Sequence, residues 1–252
     1  MLTPSPCPVC QDTGWQQAVG ENGIAEVRRC DCKHDRARWD RWRQTGVPER
    51  YQHCELDNFE TQPPGRAPSA ALFQALGKAR SFVENYTLRG RRAGLIFMGS
   101  CGTGKTHLAV GILRLLIQDY AVEGRFVDHR ELLKSIQATF DPLNPLSEAA
   151  LLEPLLQTEL LVMDDLGVGR STEWAQETLH YLLNHRYAHN LTTLITTNLE
   201  EEPARKPGMD LIADRSLTQM IGERLRSRLY EMCEPVEMRG EDFRRGMMAG
   251  SH

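Results

Sequence analysis

The residues from Gly99 to Thr106 have the composition and spacing of a loop that holds phosphate groups. In the pattern G-x-x-x-x-G-K-[ST], glycines let the backbone wrap closely, so that its N–H groups point at the phosphates. Lys105 would then reach the β- and γ-phosphates of a nucleoside triphosphate, and the Thr106 hydroxyl would bind Mg²⁺. The predicted phosphate-binding residues are Gly99, Ser100, Cys101, Gly102, Thr103, Gly104, Lys105 and Thr106.

Two carboxylates and an amide follow apolar segments farther along the chain. Residues 160–163 are apolar and lead directly into Asp164 and Asp165, which is the form of a buried strand that ends in acidic side chains. Ligands of open α/β sheets bind at the carboxyl ends of the strands. Asp164 is therefore predicted to hold Mg²⁺, and Asp165 to orient or deprotonate an attacking water. Asn198 follows the apolar run 191–196, and it either hydrogen-bonds the terminal phosphate or the water, or forms a turn.

Four of the seven cysteines lie within the first 32 residues. The odd total, in a chain whose start lacks the charge and apolar segment of a signal peptide, favours reduced thiols over disulfides. Four clustered thiolates can close a tetrahedral, structural Zn²⁺ site. The second pair has only one residue between its cysteines, so His34 is an alternative ligand. The predicted zinc ligands are Cys7, Cys10, Cys30 and Cys32.

The elements that would position these groups alternate along the chain from residue 93 onward. Apolar runs typical of strands alternate with segments whose apolar residues recur at helical spacing. This alternation predicts the α/β class, with a parallel sheet covered by helices on both faces. The predicted strands are 94–98, 125–128, 160–163 and 191–196, and the predicted helices are 70–86, 106–122, 130–140, 147–157 and 173–189.

Composition divides the chain into three predicted domains. The cysteine-rich start, 1–35, has too few apolar residues to fold without a metal and is predicted to be a zinc-binding module. A basic helical connector and a Pro- and Gly-rich linker follow in 36–68, and a nucleotide-binding domain occupies 69–252. A predicted helix over 35–45 alternates four arginines with two tryptophans. It would either grip nucleic acid or a partner, or cover the nucleotide-binding domain with its tryptophans.

Charge and hydropathy limit the classes of function. The 252 residues include 30 Lys and Arg against 34 Asp and Glu, which gives a formal net charge of −4. Any nucleic-acid contact must therefore come from a local basic patch rather than from the charge of the whole chain. No apolar run approaches the roughly 18 residues that a membrane span needs. We therefore expect a cytoplasmic protein that does not act on a membrane.

Four motifs together resemble the AAA+ ATPases, and among these the helicase loaders of the DnaC/DnaI type and the related IstB transposition ATPases. The motifs are GSCGTGKTH (99–107), LLVMDDLG (160–167), TTN (196–198) and GERLRSRL (222–229), with CPVC and CDC ahead of them. The resemblance extends over about Tyr51 to Arg245, and more loosely over the cysteine segment. It implies the fold of a P-loop NTPase of the AAA+ class, with a lid that is reduced because few residues follow Asn198.

The resemblance also assigns roles to individual residues. His107 would join the ATP-binding loop, and Asn198 corresponds to the residue that senses the terminal phosphate. Arg224 and Arg228 are both candidates for the arginine that completes a neighbouring subunit's site, whereas a solvated basic face is the alternative. Asp165 stands where the family usually has glutamate, which implies slow hydrolysis.

The function that the resemblance implies is loading of a hexameric replicative helicase on single-stranded DNA, by an enzyme that hydrolyses ATP with Mg²⁺ and forms a nucleotide-dependent homo-oligomer. Phe140 and Trp174 correspond to DNA-contacting positions, where aromatic rings could stack on bases; packing of helix ends is the alternative. Two other functions stay open. One is an IstB-like transposition helper that acts on double-stranded DNA, and the other is a nucleotide-gated adaptor that needs no hydrolysis.

Overall fold

The computed structural model describes residues 10, 15–19, 25–30, 32–62, 67–86, 93–167, 172–199, 216–240 and 242–243. The chain divides into two compact units, Met1–Gln44 and Thr45–His252. The division falls within the segment 36–68 that composition predicts to be a connector. No helix in the described ranges is long and apolar enough to cross a bilayer.

The first unit contains a β-hairpin and a helix. Strand β1 (Trp15–Val19) pairs antiparallel with strand β2 (Ala25–Arg29), so that Trp15 lies opposite Arg29. The sequence does not predict this hairpin, because neither strand has a sustained apolar alternation. Helix α1 (Cys32–Gln44) begins earlier than the predicted helix 35–45 and ends within it.

The second unit is built on a five-stranded sheet in which every adjacent pair of strands is parallel. Its strands are β3 (Gly94–Met98), β4 (Gly124–Asp128), β5 (Leu160–Asp164), β6 (Thr192–Thr197) and β7 (Cys233–Glu237). They lie in the order β4-β5-β6-β3-β7. This sheet confirms the predicted α/β class, and the four predicted strands agree with β3 to β6 to within one residue at each end.

Strand β7 is not predicted from the sequence. Pro235 and the exposed Glu234 and Glu237 interrupt its apolar pattern, while Cys233 and Val236 are buried. The strand forms one edge of the sheet beside β3. Proline is tolerated at such an edge because no second neighbour needs its missing N–H.

Helices cover both faces of the sheet. Leu161 and Met163 of β5 belong to one apolar cluster with residues of the helices that follow β4, β5 and β6. Leu160 and Val162 point to the opposite face and are also fully buried. The helices are α2 (Ala70–Glu84), α3 (Lys105–Tyr120), α4 (His129–Ala138), α5 (Glu148–Gln157), α6 (Glu173–Ala188), α7 (Leu217–Ile221) and α8 (Glu223–Met232), with a short 3₁₀ helix at Glu49–Tyr51.

Short polar side chains explain where several of these helices begin. The hydroxyls of Ser69, Ser147 and Thr172 each accept a hydrogen bond from a backbone N–H in the first turn of the helix that follows. Such a cap satisfies a donor that would otherwise have no partner within the helix. These caps mark the starts of α2, α5 and α6, which lie within one residue of their predicted starts.

Candidate nucleotide-binding site

The loop between β3 and α3 has a conformation that only glycine accommodates. Gly99 and Gly104 have φ angles of +146° and +88°. A Cβ at Gly99 would overlap the carbonyl oxygen of Met238, and a Cβ at Gly104 would lie 2.6 Å from the ring of Phe59. Gly104 directly precedes α3 and has no side chain to cap it, so the first N–H groups of the helix remain available to an anion. The loop therefore fits a phosphate group.

Lys105 is folded back over this loop. Its side chain is only 5% exposed, and its Nζ donates hydrogen bonds to the carbonyl oxygens of Gly99 at 2.9 Å and Ser100 at 2.7 Å. These contacts hold the ammonium group against the predicted phosphate-binding residues. A buried cation at this position attracts the negative charge of a triphosphate.

The chain that follows β7 supports the loop from outside. The Met98 carbonyl accepts a hydrogen bond from the Met238 N–H at 2.7 Å, and the Ser100 hydroxyl donates to the Gly240 carbonyl at 3.2 Å. The Phe243 N–H donates to the Gly102 carbonyl at 3.2 Å. The sequence analysis does not find this support, because it depends on the unpredicted strand β7.

A network of hydroxyl groups surrounds Asp164 at the end of β5. Thr106 and Thr196 donate hydrogen bonds to its Oδ1, at 2.8 Å and 2.6 Å. Burial raises the pKa of the Asp164 carboxyl, while these two hydrogen bonds oppose the shift. The structure thus brings together Thr106 and Asp164, the two predicted Mg²⁺ ligands, and adds Thr196, which the sequence analysis does not assign a role.

Asp165 lies beside this network in a strained conformation. Its φ is +52°, which is unfavourable for a residue with a side chain. Its N–H donates to Thr196 Oγ1 at 3.0 Å, and its Oδ1 accepts from Asn198 Nδ2 at 3.3 Å. Because β5 and β6 are parallel neighbours, Asp165 and Asn198 emerge at the same edge of the sheet. The structure therefore groups the predicted water-activating residue with the predicted sensor.

Asp128 is a third carboxylate at the carboxyl ends of the strands, and the sequence analysis does not identify it. It lies opposite Asp164 across β4 and β5, and carboxylate oxygens of Asp128, Asp164 and Asp165 lie within 4.8 Å of one another. The signal was present, since Asp128 also ends an apolar strand. Hard oxygen donors of this kind, with the Thr106 hydroxyl, suit Mg²⁺.

His107 contacts residues that lie outside the loop. Its Nε2 lies 2.9 Å from the Glu55 carbonyl oxygen and 2.8 Å from Asn58 Oδ1. Its ring also packs edge-on against Phe59, with centroids 5.3 Å apart. The residue thus fastens the segment that precedes α2 to the start of α3.

The two candidate arginines of α8 have different surroundings. Arg224 is exposed to solvent. Arg228 donates a hydrogen bond to Asn184 Oδ1, and its guanidinium lies 4.9 Å from the ring centre of Tyr187. Arg228 is therefore held against α6 of its own chain.

Phe140 and Trp174 lie in contact with each other. Their ring centres are 5.6 Å apart in an edge-to-face arrangement, and Phe140 is 60% exposed. Trp174 also lines a groove of about 820 Å³ between α5 and α6, and three glutamates line the same groove: Glu148, Glu153 and Glu177. These acids repel a phosphate backbone and therefore disfavour its entry into the groove.

The predicted zinc ligands fall only in part within the described residues. Cys10 and Cys30 are both 5% exposed. Cys30 directly follows β2, at the end of the hairpin where Trp15 and Arg29 pair. Cys7 and the side chains of Cys32 and His34 lie outside the part of the chain that the structure describes.

Comparison with known proteins places this site in a family. The sequence pattern of the family described as IstB-like ATP binding protein matches residues 57–249. The replicative helicase loader DnaC of Escherichia coli K12 is 27% identical over 186 residues, which cover 73% of this chain and 66% of that protein. This chain therefore spans somewhat less than two thirds of the length of the curated DnaC proteins.

Solved structures agree in fold. The crystal structure of the DnaC helicase loader superposes with a TM-score of 0.62 at 30% identity, over 76% of this chain and all of that chain. The structure of DnaI gives a TM-score of 0.58 at 22% identity, over 79% of this chain and 94% of that one. The AMPPCP-bound DnaA of Aquifex aeolicus gives 0.55 at 17% identity, over 81% and 55% of the two chains.

Proposed function

Since this chain belongs to the family of IstB-like ATP-binding proteins and has the AAA+ fold, we propose that it is an ATPase that loads a replicative DNA helicase. The observation that supports ATP dependence is the hydrogen bond between Thr106 and Asp164. Thr106 directly follows the glycine loop, where α3 begins without a side-chain cap. The similarity to DnaC supports the helicase as partner.

The triphosphate of ATP would lie on the loop at the start of α3. The backbone N–H groups there and the Lys105 ammonium would hold its β- and γ-phosphates. Bound at Thr106 and Asp164, Mg²⁺ would neutralise negative charge on these phosphates. Asp128, at the end of β4, would coordinate the same cation, either directly through its carboxylate or through a bound water.

Hydrolysis would depend on Asp165 and Asn198. Asp165 would take a proton from the water that attacks the γ-phosphorus, while the bond to ADP breaks and ADP leaves with the electron pair. The hydrogen bond from Asn198 and the strained backbone hold the Asp165 carboxylate in place. Because aspartate reaches less far than glutamate, we expect this step to be slow.

A second subunit would complete the site with an arginine. Arg224 is the better candidate, because it is exposed while Arg228 already binds Asn184 and Tyr187. Such an arginine stabilises charge on the transferring phosphoryl group. ATP would therefore favour a homo-oligomer, and hydrolysis would favour dissociation of that oligomer.

Single-stranded DNA is the proposed nucleic-acid ligand. The contact between Phe140 and Trp174 supports a shared stacking surface for bases. The glutamates that line the neighbouring groove would keep the phosphate backbone of the DNA out of that groove. Zinc is the proposed metal of the first unit, where the burial of Cys10 and Cys30 is compatible with thiolates that face a metal rather than solvent.

A transposition helper is the second candidate function, because the matching family pattern is that of IstB-like proteins. Such a helper would act on double-stranded DNA and a transposase. Comparison of binding to single- and double-stranded oligonucleotides in the presence of Mg·ATP separates the two functions.

The deciding experiment is co-purification of the full chain with the replicative helicase of the same organism, with and without Mg·ATP. We expect a complex whose amount depends on nucleotide, and we expect Lys105→Ala to lose this dependence together with nucleotide binding. Lys134→Ala, an exposed lysine on α4, is the matched control and should behave as the parent does. A parent protein that binds neither Mg·ATP nor the helicase would overturn the proposal.

A further inference from the structure

A short segment that follows β7 runs along the phosphate-binding loop. It comprises Met238–Gly240 and Asp242–Phe243 and is here called the strap. Strands β3 and β7 are parallel neighbours and pair in register as far as Met98 and Glu237. The pairing continues where the strands end, because the Met238 N–H donates to the Met98 carbonyl at 2.7 Å. The strap therefore reaches the loop as a continuation of the sheet.

Two further hydrogen bonds join the strap to the loop itself. The Ser100 hydroxyl donates to the Gly240 carbonyl at 3.2 Å, and the Phe243 N–H donates to the Gly102 carbonyl at 3.2 Å. These contacts follow one another in the same direction along both segments. The loop and the strap therefore lie side by side, as two parallel strands do.

The glycines of the loop allow this close approach. A Cβ at Gly99 would overlap the carbonyl oxygen of Met238. A Cβ at Gly102 would overlap the carboxylate of Asp242 and lie 2.9 Å from its Cα. Besides letting the backbone wrap around phosphate, these two glycines therefore leave room for the strap.

Helix α2 holds the strap at a second place. The hydroxyl of Ser69, which caps α2, also donates to the Arg239 carbonyl at 3.0 Å. The consecutive carbonyls of Arg239 and Gly240 are thus bound by serines of two different elements. Lys78 of α2 also donates to the Pro235 carbonyl of β7 at 3.2 Å. The strap is therefore attached to α2 and to the loop at the same time.

We propose that the strap is a positioning element of the ATP site, and that bound ATP and the strap contacts stabilise each other. The loop presents several backbone N–H groups to the phosphates at once, so contacts that hold its backbone reduce the ordering that binding requires. By linkage, a nucleotide that favours this loop conformation also favours the strap contacts. Ser100 and Phe243 are positioning residues, since they act on the nucleotide through the loop. The inference rests on the proposed ATP site at Lys105 and Thr106.

The first test compares two variants of Phe243 in the full chain. Phe243→Pro removes the N–H that binds the Gly102 carbonyl, whereas Phe243→Ala removes the same ring and keeps that N–H. We expect the affinity for a fluorescent ATP analogue in Mg²⁺ to be about fivefold weaker in Phe243→Pro than in Phe243→Ala. Equal affinities of the two variants would contradict the inference.

The second test acts from the side of the loop. Ser100→Ala removes the hydroxyl that binds Gly240, and we expect it to weaken binding of the same analogue about fivefold. Ser100→Thr keeps a hydroxyl at this exposed position and should restore the affinity of the parent. In hydrogen exchange, Mg·ATP should increase the protection of residues 238–243 in the parent and increase it less in Ser100→Ala. Ser81→Ala, which removes an exposed serine hydroxyl of α2, is the matched control.

The outcomes separate this inference from the proposed function. If the parent binds Mg·ATP without a change in the protection of the strap, and Ser100→Ala binds it equally well, while Lys105→Ala fails to bind, only the inference is wrong. A Ser100→Thr variant as weak as Ser100→Ala would also contradict it, because the hydroxyl would then not be the group that matters. If the parent itself does not bind Mg·ATP, the inference and the proposed function fail together.

Discussion

Asp164 obtains its hydrogen bonds from two neutral hydroxyl groups rather than from a cationic side chain. Hydroxyls orient a buried carboxylate without cancelling its charge, and burial raises its pKa. A cation that binds here therefore removes an electrostatic cost.

Trp174 allows a direct test of the DNA proposal. Because stacking of a base on an aromatic ring contributes about 1–3 kcal/mol, Trp174→Ala should weaken binding of a single-stranded oligonucleotide about tenfold. Affinity is measured by fluorescence anisotropy in the presence of Mg·ATP. Tyr120→Ala, an exposed aromatic residue on α3, serves as control. An unchanged oligonucleotide affinity in Trp174→Ala, with ATP binding intact, would count against the proposal.

A buried arginine joins helix α6 to the sheet and to α5. Arg186 is 0% exposed, and burial lowers its pKa to about 10, so it stays charged at neutral pH. Its guanidinium links α6 to the end of α5 and to the starts of β5 and β6. The acceptors are the carbonyl oxygens of Leu155, Thr158, Glu159 and Thr192 and the hydroxyl of Thr193.

Replacing Arg186 by methionine should strongly destabilise the second unit. The methionine side chain fills part of the space but leaves several buried carbonyls without a donor, and we expect the free energy of unfolding to fall by about 3–5 kcal/mol. Urea denaturation followed by circular dichroism measures this change. The same substitution at the exposed Arg130 of α4 should change it by less than about 0.5 kcal/mol. Equal midpoints for both variants would show that the guanidinium contacts contribute little.

The hairpin of the first unit is the element for which zinc would matter. If four cysteines close one site, reduced parent protein should contain about one zinc per chain by elemental analysis. Cys30→Ser should lose most of that metal, because removal of one thiolate opens the site. Cys101→Ser changes an exposed cysteine of the phosphate-binding loop, and this variant should retain the zinc. Far less than one zinc per chain in the parent would end the zinc proposal.

For the whole molecule, the central expectation is that the ATP site is shared between subunits. One chain supplies the loop, Asp164, Asp165 and Asn198, while Arg224 faces solvent on α8. Arg228 instead stabilises its own chain through Asn184 and Tyr187. The surface that carries Arg224 is therefore predicted to meet the nucleotide of a neighbouring copy.

Mixing of two inactive variants tests this sharing. Arg224→Ala should bind ATP but not hydrolyse it, and Lys105→Ala should do neither. In a mixed oligomer, the intact Arg224 of one chain can complete the intact loop of the other, so phosphate release should reappear on mixing. Arg228→Ala should keep activity but lower the melting temperature, because its contacts are within one chain. No recovery on mixing, or loss of activity in Arg228→Ala alone, would contradict the assignment of Arg224.

Much of this molecule follows from local patterns. The glycine spacing of the loop, the apolar run before Asp164 and Asp165, and the helical spacing after each strand are properties of short windows, so they can be read without knowledge of the fold. For that reason four strands of the sheet and α2 to α6 agree with expectation. The edge strand β7 and the hairpin are not predicted, because neither has a sustained apolar alternation along its sequence.

The remaining features depend on which strands become neighbours. The order β4-β5-β6-β3-β7 brings Asp128, Asp164 and Thr196 to one edge, although they lie far apart along the chain. Arg228 binds α6 because α8 packs there. Contacts of this kind form when whole faces of the sheet and the helices are buried against each other. The stabilising energy comes from residues that are far apart in the chain, so no short stretch of sequence predicts these contacts.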